Sequence, residues 1–296
     1  MSMDATFQEV LRRLPTPLQD YGQTLPHRLG ITQEPTGAWE EFWVLDINRD
    51  LPGYVAEDPE HPGTRLVSDA ALAHYRAAHH CAAIHGLIAD RLVDCQVAPD
   101  MGLLLFRGIF LRQWERELTA ATGDRRVARE ALARALTSLR RGTALELRTM
   151  ARRELDPRTY AIQTREKLRW GGTAARCLLR QTGQARRAEL LERSYDLFCF
   201  ALQCMDDALD CAEDERTRGV SVPSVLGLPS GSLVRAMPAL LDSAITLARE
   251  ARLERLALWL GSFARLAHGI RPEGDADRNE ELGRRLAVVA EGALWA

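Results

Sequence analysis

Apolar residues along most of this chain come in stretches broken every few positions by arginine or glutamate. Even the run from Leu103 to Phe110 is cut by Arg107 and soon followed by Arg112, so nothing approaches the roughly 18 consecutive apolar residues of a membrane span. Of 13 prolines, seven fall in the first 62 residues, while 63–98, 100–156 and 158–222 contain none. Long proline-free stretches rich in Ala, Leu, Arg and Glu predict helices rather than strands. Ser68 or Asp69 is the expected cap of a helix running to about Cys95, and Pro99-Asp100 separates it from a second, amphipathic stretch ending near Gly123. Asp156 followed by Pro157 opens a helix predicted to run to about Gln181 and stop at Gly183. Another is expected from about Ala185 through Cys211, ending in a polar segment from Glu213 to Gly219. VSVPSVLGLPSGS reads as a loop, and three further helices fill Leu233–Ala251, Leu253–Ala267 and Asp277–Trp295. No internal repeat and no Gly/Ser linker is present, which favours a single-domain all-α bundle. Residues 1–66, with Trp39, Trp43 and many prolines, read as an irregular N-terminal wrap with one short helix around Gly37–Leu45, and 67–296 as the helical domain.

Composition narrows the function. With 46% hydrophobic and 27% charged residues among 296, the chain can bury a large core, which excludes disorder and disulfide mini-scaffolds. The balance of 39 basic against 41 acidic residues leaves no broad positive field, so no nucleic-acid partner is expected. The N-terminal segment carries Asp4 and Glu9 and lacks a secretory apolar run, lipidation end signals are absent, and a cytoplasmic location without an integral membrane segment is expected. The six cysteines form no CxxC pair and are expected as reduced, buried thiols. His79, His80 and His85 lack the acid or cysteine spacing that would complete a transition-metal site.

The chemistry concentrates in LQCMDDALDCAEDERTRG, residues 202–219. On a helix Asp206 and Asp210 stand at i and i+4 and Asp207 with Asp210 at i and i+3, so the three carboxylates are expected on one flank. Three acids directly after an apolar turn are expensive unless a cation answers them, and hard divalent ions with oxygen ligands fit, magnesium above all. Roughly a hundred residues upstream, HHCAAIHGLIADRLVD carries Asp90 and Asp94 at a spacing that again places both on one face. Lys167 is the only lysine in the chain, every other basic residue of the 39 being arginine. That isolation asks what an ammonium does there that a guanidinium cannot.

Gln203, Asp206, Asp207 and Asp210 match the Q-x-x-D-D-x-x-D motif of trans-prenyl diphosphate synthases. Glu213, Asp214, Gly219 and SVPSVLGL resemble the stretch that follows it. Ile84-His85 and Asp90 resemble the first aspartate box of that superfamily, with Gly86 and Leu87 where two aspartates are usual. The surviving Asp90/Asp94 pair is more similar to the first motif of squalene, phytoene and some terpene synthases. The resemblance implies a helical bundle of the class I isoprenoid synthase type, and it assigns Asp90, Asp94, Asp206, Asp207 and Asp210 to catalysis. The metal ligands it implies are Asp90, Asp94, Asp206, Asp210 and Asp214, holding up to three Mg2+ ions, with Mn2+ as a substitute. Lys167 and Arg165, aided by Arg169, with Gln203 and Arg91, are the implied diphosphate contacts. Phe106, Phe110, Trp170 and Phe198, together with Trp114 and Phe200, are on the helices expected around a dry cavity.

The implied activity is ionisation of an allylic isoprenyl diphosphate. The early G-K-x-x-R segment that binds isopentenyl diphosphate in chain-elongating members is missing, which favours cyclisation or elimination to a terpene. Prenyl transfer to a second substrate is the alternative, and a catalytically inactive binding or regulatory subunit is the reading from another class. The resembled family is commonly dimeric, which implies a homodimer by analogy alone.

Overall fold

A computed structural model of the chain describes residues 2–41, 45–61, 63–270 and 276–295. Among these the structure is all-α, its one β feature being an isolated bridge between Glu57 and Arg65. No helix among them is long and apolar enough to cross a membrane. The residues group into two units, 1–134 with 170–184 and 135–169 with 185–296.

The first unit holds α1 (Met3–Leu11), α2 (Thr16–Gln23), α3 (Leu25–Arg28), α4 (Asp46–Val55), α5 (Asp69–Val93), α6 (Met101–Thr122) and the start of α7 (Arg125–Arg152). The N-terminal region is therefore far more helical than one short helix; of the span 37–45, residues 42–44 lie outside the described residues, and a 3-10 turn occupies Trp39–Glu41. Its prolines initiate helices instead of preventing them. Pro17 and Pro26 occupy first-turn positions, where the missing N–H has no partner to lose, and Pro52 is tolerated inside α4 beside a kink at Asp50 (φ −143°, ψ 37°). Trp39 is fully buried against the edge of Phe7 (5.2 Å between centroids). Trp43 lies outside the described residues. The expected cap at α5 is present, Ser68 Oγ accepting the Ala71 N–H (3.2 Å), and Asp100 of the separating Pro99-Asp100 step caps α6 by accepting that of Leu103 (2.8 Å). The α5–α6 pair forms the middle of the unit, with α1 and α4 packed on α5.

The helix opened by the Asp156 cap is interrupted. It runs as α8 (Pro157–Leu168), gives way to a 3-10 turn at Arg169–Gly172, and resumes as α9 (Thr173–Gln181). Two successive glycines, 171 and 172, remove the helical propensity that the flanking residues supply. The second unit centres on α10 (Ala185–Leu209), packed along α13 (Ser230–Glu250). The polar segment after α10 is itself helical, α11 (Cys211–Arg218). The expected loop contains α12 (Val222–Leu226), closed by a capping box between Ser221 and Ser224. α14 (Glu254–His268) and α15 (Ala276–Trp295) complete the unit. The cysteines are all free; Cys81, Cys177, Cys199 and Cys204 are buried as expected, whereas Cys95 is exposed and Cys211 half-buried because both sit at polar helix ends.

Candidate active site

In the second unit, α10 carries the acidic motif at its C-terminal end. The ladder continues through the junction with α11, since the Asp210 N–H donates to Asp206 O (2.9 Å) and the Asp214 N–H to Asp210 O (2.8 Å). Asp206, Asp210 and Asp214 therefore stand one turn apart along a single stripe. Asp206 and Asp210 are exposed and Asp214 is half-buried. Burial raises the Asp214 pKa against the opposing pull of Arg218, whose Nε lies 3.5 Å away.

Asp207 departs from the expected shared flank. One residue round from Asp206, it turns into the core, where it is 9% exposed. There it accepts hydrogen bonds from the Tyr160 hydroxyl (2.5 Å) and from Gln203 Nε2 (3.0 Å). Burial pushes its pKa up to about 7, while both hydrogen bonds pull the other way. Tyr160 is itself buried and meets Phe200 edge-on (5.0 Å). Gln203 thus serves Asp207 in this structure.

The basic candidates on α8 are engaged within the unit. Lys167 is 8% exposed and its Nζ donates to Glu146 Oε1 of α7 (2.9 Å). The two helices meet there without a spacer, since a Cβ on Gly142 would run into the Lys167 backbone nitrogen. Arg165 donates to the Leu294 carbonyl (3.2 Å) at the C-terminal end of α15 and pairs with Glu166 (3.1 Å), whose other oxygen accepts from Ser138 (2.8 Å). A cation at a helix C-terminus answers unpaired carbonyls and the helix dipole. Arg169 pairs with the buried Asp196 (2.9 Å) and with Glu192 (3.2 Å). Tyr160, Glu146 and Asp196 were not singled out by the sequence. Only the seven-residue step from Tyr160 to Lys167 on one helix hinted at a shared face.

In the first unit, Asp90 and Asp94 close α5. Both are half-buried, and the Asp94 N–H donates to Asp90 O (2.9 Å) as Asp94 ends the helix. Arg91, also half-buried, offers its carbonyl to the Gln96 N–H (3.0 Å), which turns the chain away. One turn before Asp90, Gly86 lies against the indole of Trp170; a Cβ there would stand 2.5 Å from the ring. Of the three histidines, each is buried and hydrogen-bonded: His79 to the Gly171 and Asn48 carbonyls, His80 to Thr6 Oγ1 and Arg49 O, and His85 to Arg107 O. Burial depresses all three, His80 to about 3 and His85 to about 4. They are core histidines.

The expected lining aromatics differ in their surroundings. Phe106 and Phe110 are fully buried, stacked on Tyr21 (5.5 Å) and Phe7 (5.8 Å), so the N-terminal helices take up their rings. Phe198 is buried in an aromatic group with Trp259 (5.4 Å) and Phe263 (5.7 Å) of α14. Trp170 alone of the four retains partial exposure.

The donor set suits a hard cation. Among the described residues no three His, Cys, Asp or Glu side chains are grouped as a ready-made metal cage. Exposed carboxylates one turn apart offer instead one or two oxygen ligands, which is what magnesium uses when water and substrate phosphate fill its remaining positions.

No protein-family model matches the chain, and no curated protein matches it. Among solved structures it is similar to a polyprenyl synthetase from Streptomyces coelicolor A3(2), with a TM-score of 0.56 and 16% sequence identity over 98% of this chain and 90% of that one. The all-α fold of the chain is thus similar to that of this polyprenyl synthetase.

Proposed function

We propose that this protein binds an allylic isoprenyl diphosphate with magnesium and ionises it, the product arising by cyclisation or elimination. The observation that carries this reading is the stripe of exposed Asp206 and Asp210 with half-buried Asp214 beyond the end of α10, whose neighbouring acid, Asp207, is turned inward and fixed by Tyr160 and Gln203. Asp206 and Asp210, with Asp214 behind them, are the assigned metal ligands, and Asp90 and Asp94 a second set. Bound magnesium supplies positive charge that stabilises the departing diphosphate. The inward Asp207 spaces the outward pair by locking the rotation of the last turn of α10. Lys167, held by Glu146, adds an ammonium that moves to the diphosphate only by giving up that partner. Arg165 is assigned to the fold and not to substrate, because it caps α15.

Prenyl transfer to a second substrate is the second reading, favoured by the likeness to a polyprenyl synthetase. The deciding assay follows diphosphate release from geranyl, farnesyl and geranylgeranyl diphosphate with magnesium, with and without isopentenyl diphosphate or a nucleophilic acceptor, and identifies products by mass spectrometry. A hydrocarbon or terpene alcohol from one substrate supports cyclisation, and an adduct that needs a second component supports transfer. Asp206→Asn and Asp90→Asn should each lower turnover by several powers of ten, since each removes a ligand oxygen charge. Release at the parental rate in either variant strikes that residue from the site. Silence from all three diphosphates under every condition leaves the inactive-subunit reading standing instead.

A further inference from the structure

Position 86 is where the resemblance would place an aspartate, and the structure gives a physical reason for its absence. The Trp170 indole occupies the volume that a side chain at 86 would need: a Cβ would stand 2.5 Å from Cζ2 and 2.6 Å from Cε2. Positions 86, 90 and 94 form one stripe of α5, and helical side chains lean toward the N-terminus, so Asp90 inclines toward the indole. The ring is anchored from behind. The next carbonyl, Gly171 O, lies 3.0 Å from His79 Nδ1, and His79 Nε2 lies 2.9 Å from Asn48 O. The 3-10 turn that carries Trp170 is thereby tied to α5 and α4. A large, partly exposed aromatic face is held rigidly one turn from a carboxylate pair.

We propose that Trp170 is a specificity-determining residue: seated on the bare backbone of Gly86, its indole is the wall against which the hydrocarbon next to the diphosphate lies, and it limits how long a chain is accommodated along α5. This rests on the function proposed above. An aromatic face suits that place because it excludes water and attracts a neighbouring positive charge.

The test uses the purified full chain. Parent, Trp170→Ala and Trp170→Phe are compared for kcat/KM with geranyl, farnesyl and geranylgeranyl diphosphate and for protection against thermal unfolding by magnesium with inorganic diphosphate. Trp170→Ala should shift the preference toward the longer substrates by about tenfold or more, Trp170→Phe less, with protection by inorganic diphosphate unchanged in both. Parental selectivity ratios in both folded variants overturn the inference while leaving the proposed function intact. A parent inert toward all three substrates overturns both. The seat itself is checked without substrate: Gly86→Ala should lower the thermal midpoint in the parent and much less in the Trp170→Ala background. Equal losses in the two backgrounds mean that the ring does not rest on residue 86, and the inference falls.

Discussion

Lowering the pH from about 7.5 to about 4.5 should weaken the first unit and strengthen the second. His80 and His85 are buried and neutral, depressed to about 3 and about 4 by desolvation. A histidine whose folded pKa lies below its unfolded value near 6.5 takes up a proton on unfolding. Its contribution is therefore complete above about pH 6.5 and is lost as the pH falls toward the folded value. At about pH 4.5 the loss is roughly 2–3 kcal/mol from each of His80 and His85, together comparable with the whole stability of a small domain. His79, also depressed, adds in the same direction.

Asp196 in the second unit runs the opposite way. Burial raises it to about 6 despite Arg169, so its ionised form costs stability at high pH, and roughly 2 kcal/mol of that cost is relieved over the same interval. Stopping there leaves Asp100 and Asp156, cap carboxylates held below the ordinary aspartate range, largely outside the titrating window. Hydrogen exchange followed by mass spectrometry, corrected for the intrinsic pH dependence of exchange, reads the two units separately through peptides from α5 and from α10. Protection in α5 should fall by at least a hundredfold, roughly 3 kcal/mol, and His80→Gln should recover about half of the loss in free energy. If α5 keeps its protection to within a few-fold, these histidines are not buried as neutral groups and the reasoning is wrong.

Three further outcomes are expected. Tyr160→Phe removes a buried donor from Asp207 and should cost about 1–3 kcal/mol in urea unfolding, while raising the Asp207 pKa still further; an unchanged midpoint would mean that the hydroxyl faces water. Lys167→Ala strands Glu146 and should cost about 2 kcal/mol or more, with the Lys167→Ala/Glu146→Ala pair losing less than the sum of the singles. Additive losses would argue against the pairing. Chelation with EDTA should abolish diphosphate release and added magnesium restore it, whereas activity persisting in the chelator would exclude a metal from the reaction.

Much of the helical framework was legible because its signals are local. Ser68 and Asp156 cap where expected, and α13 to α15 begin and end within a few residues of the expected ranges. The pairing of Asp206 with Asp210 follows from helical spacing alone, whereas Asp214 joins their stripe only because the segment after α10, expected as a polar end, is itself helical. What escaped depends on distant partners. Asp206 and Asp207 are neighbours expected on one flank, and the partner that marks Asp207 as the inward one, Tyr160, lies 47 residues upstream. Arg165 carries the charge expected of a diphosphate ligand, yet the end of α15 claims it. The N-terminal helices were missed because proline discourages a helix interior and favours a helix start, and composition does not separate the two.

The seating of Trp170 on Gly86 also constrains how the chain can change by mutation. Restoring an acid at residue 86 in one step collides with the ring, so that route passes first through loss of the tryptophan. Any ancestor or engineered descendant bearing both would have to hold the indole in another rotamer or the turn at Arg169–Gly172 in another conformation. The order of substitutions, and not merely their sum, is written into this contact.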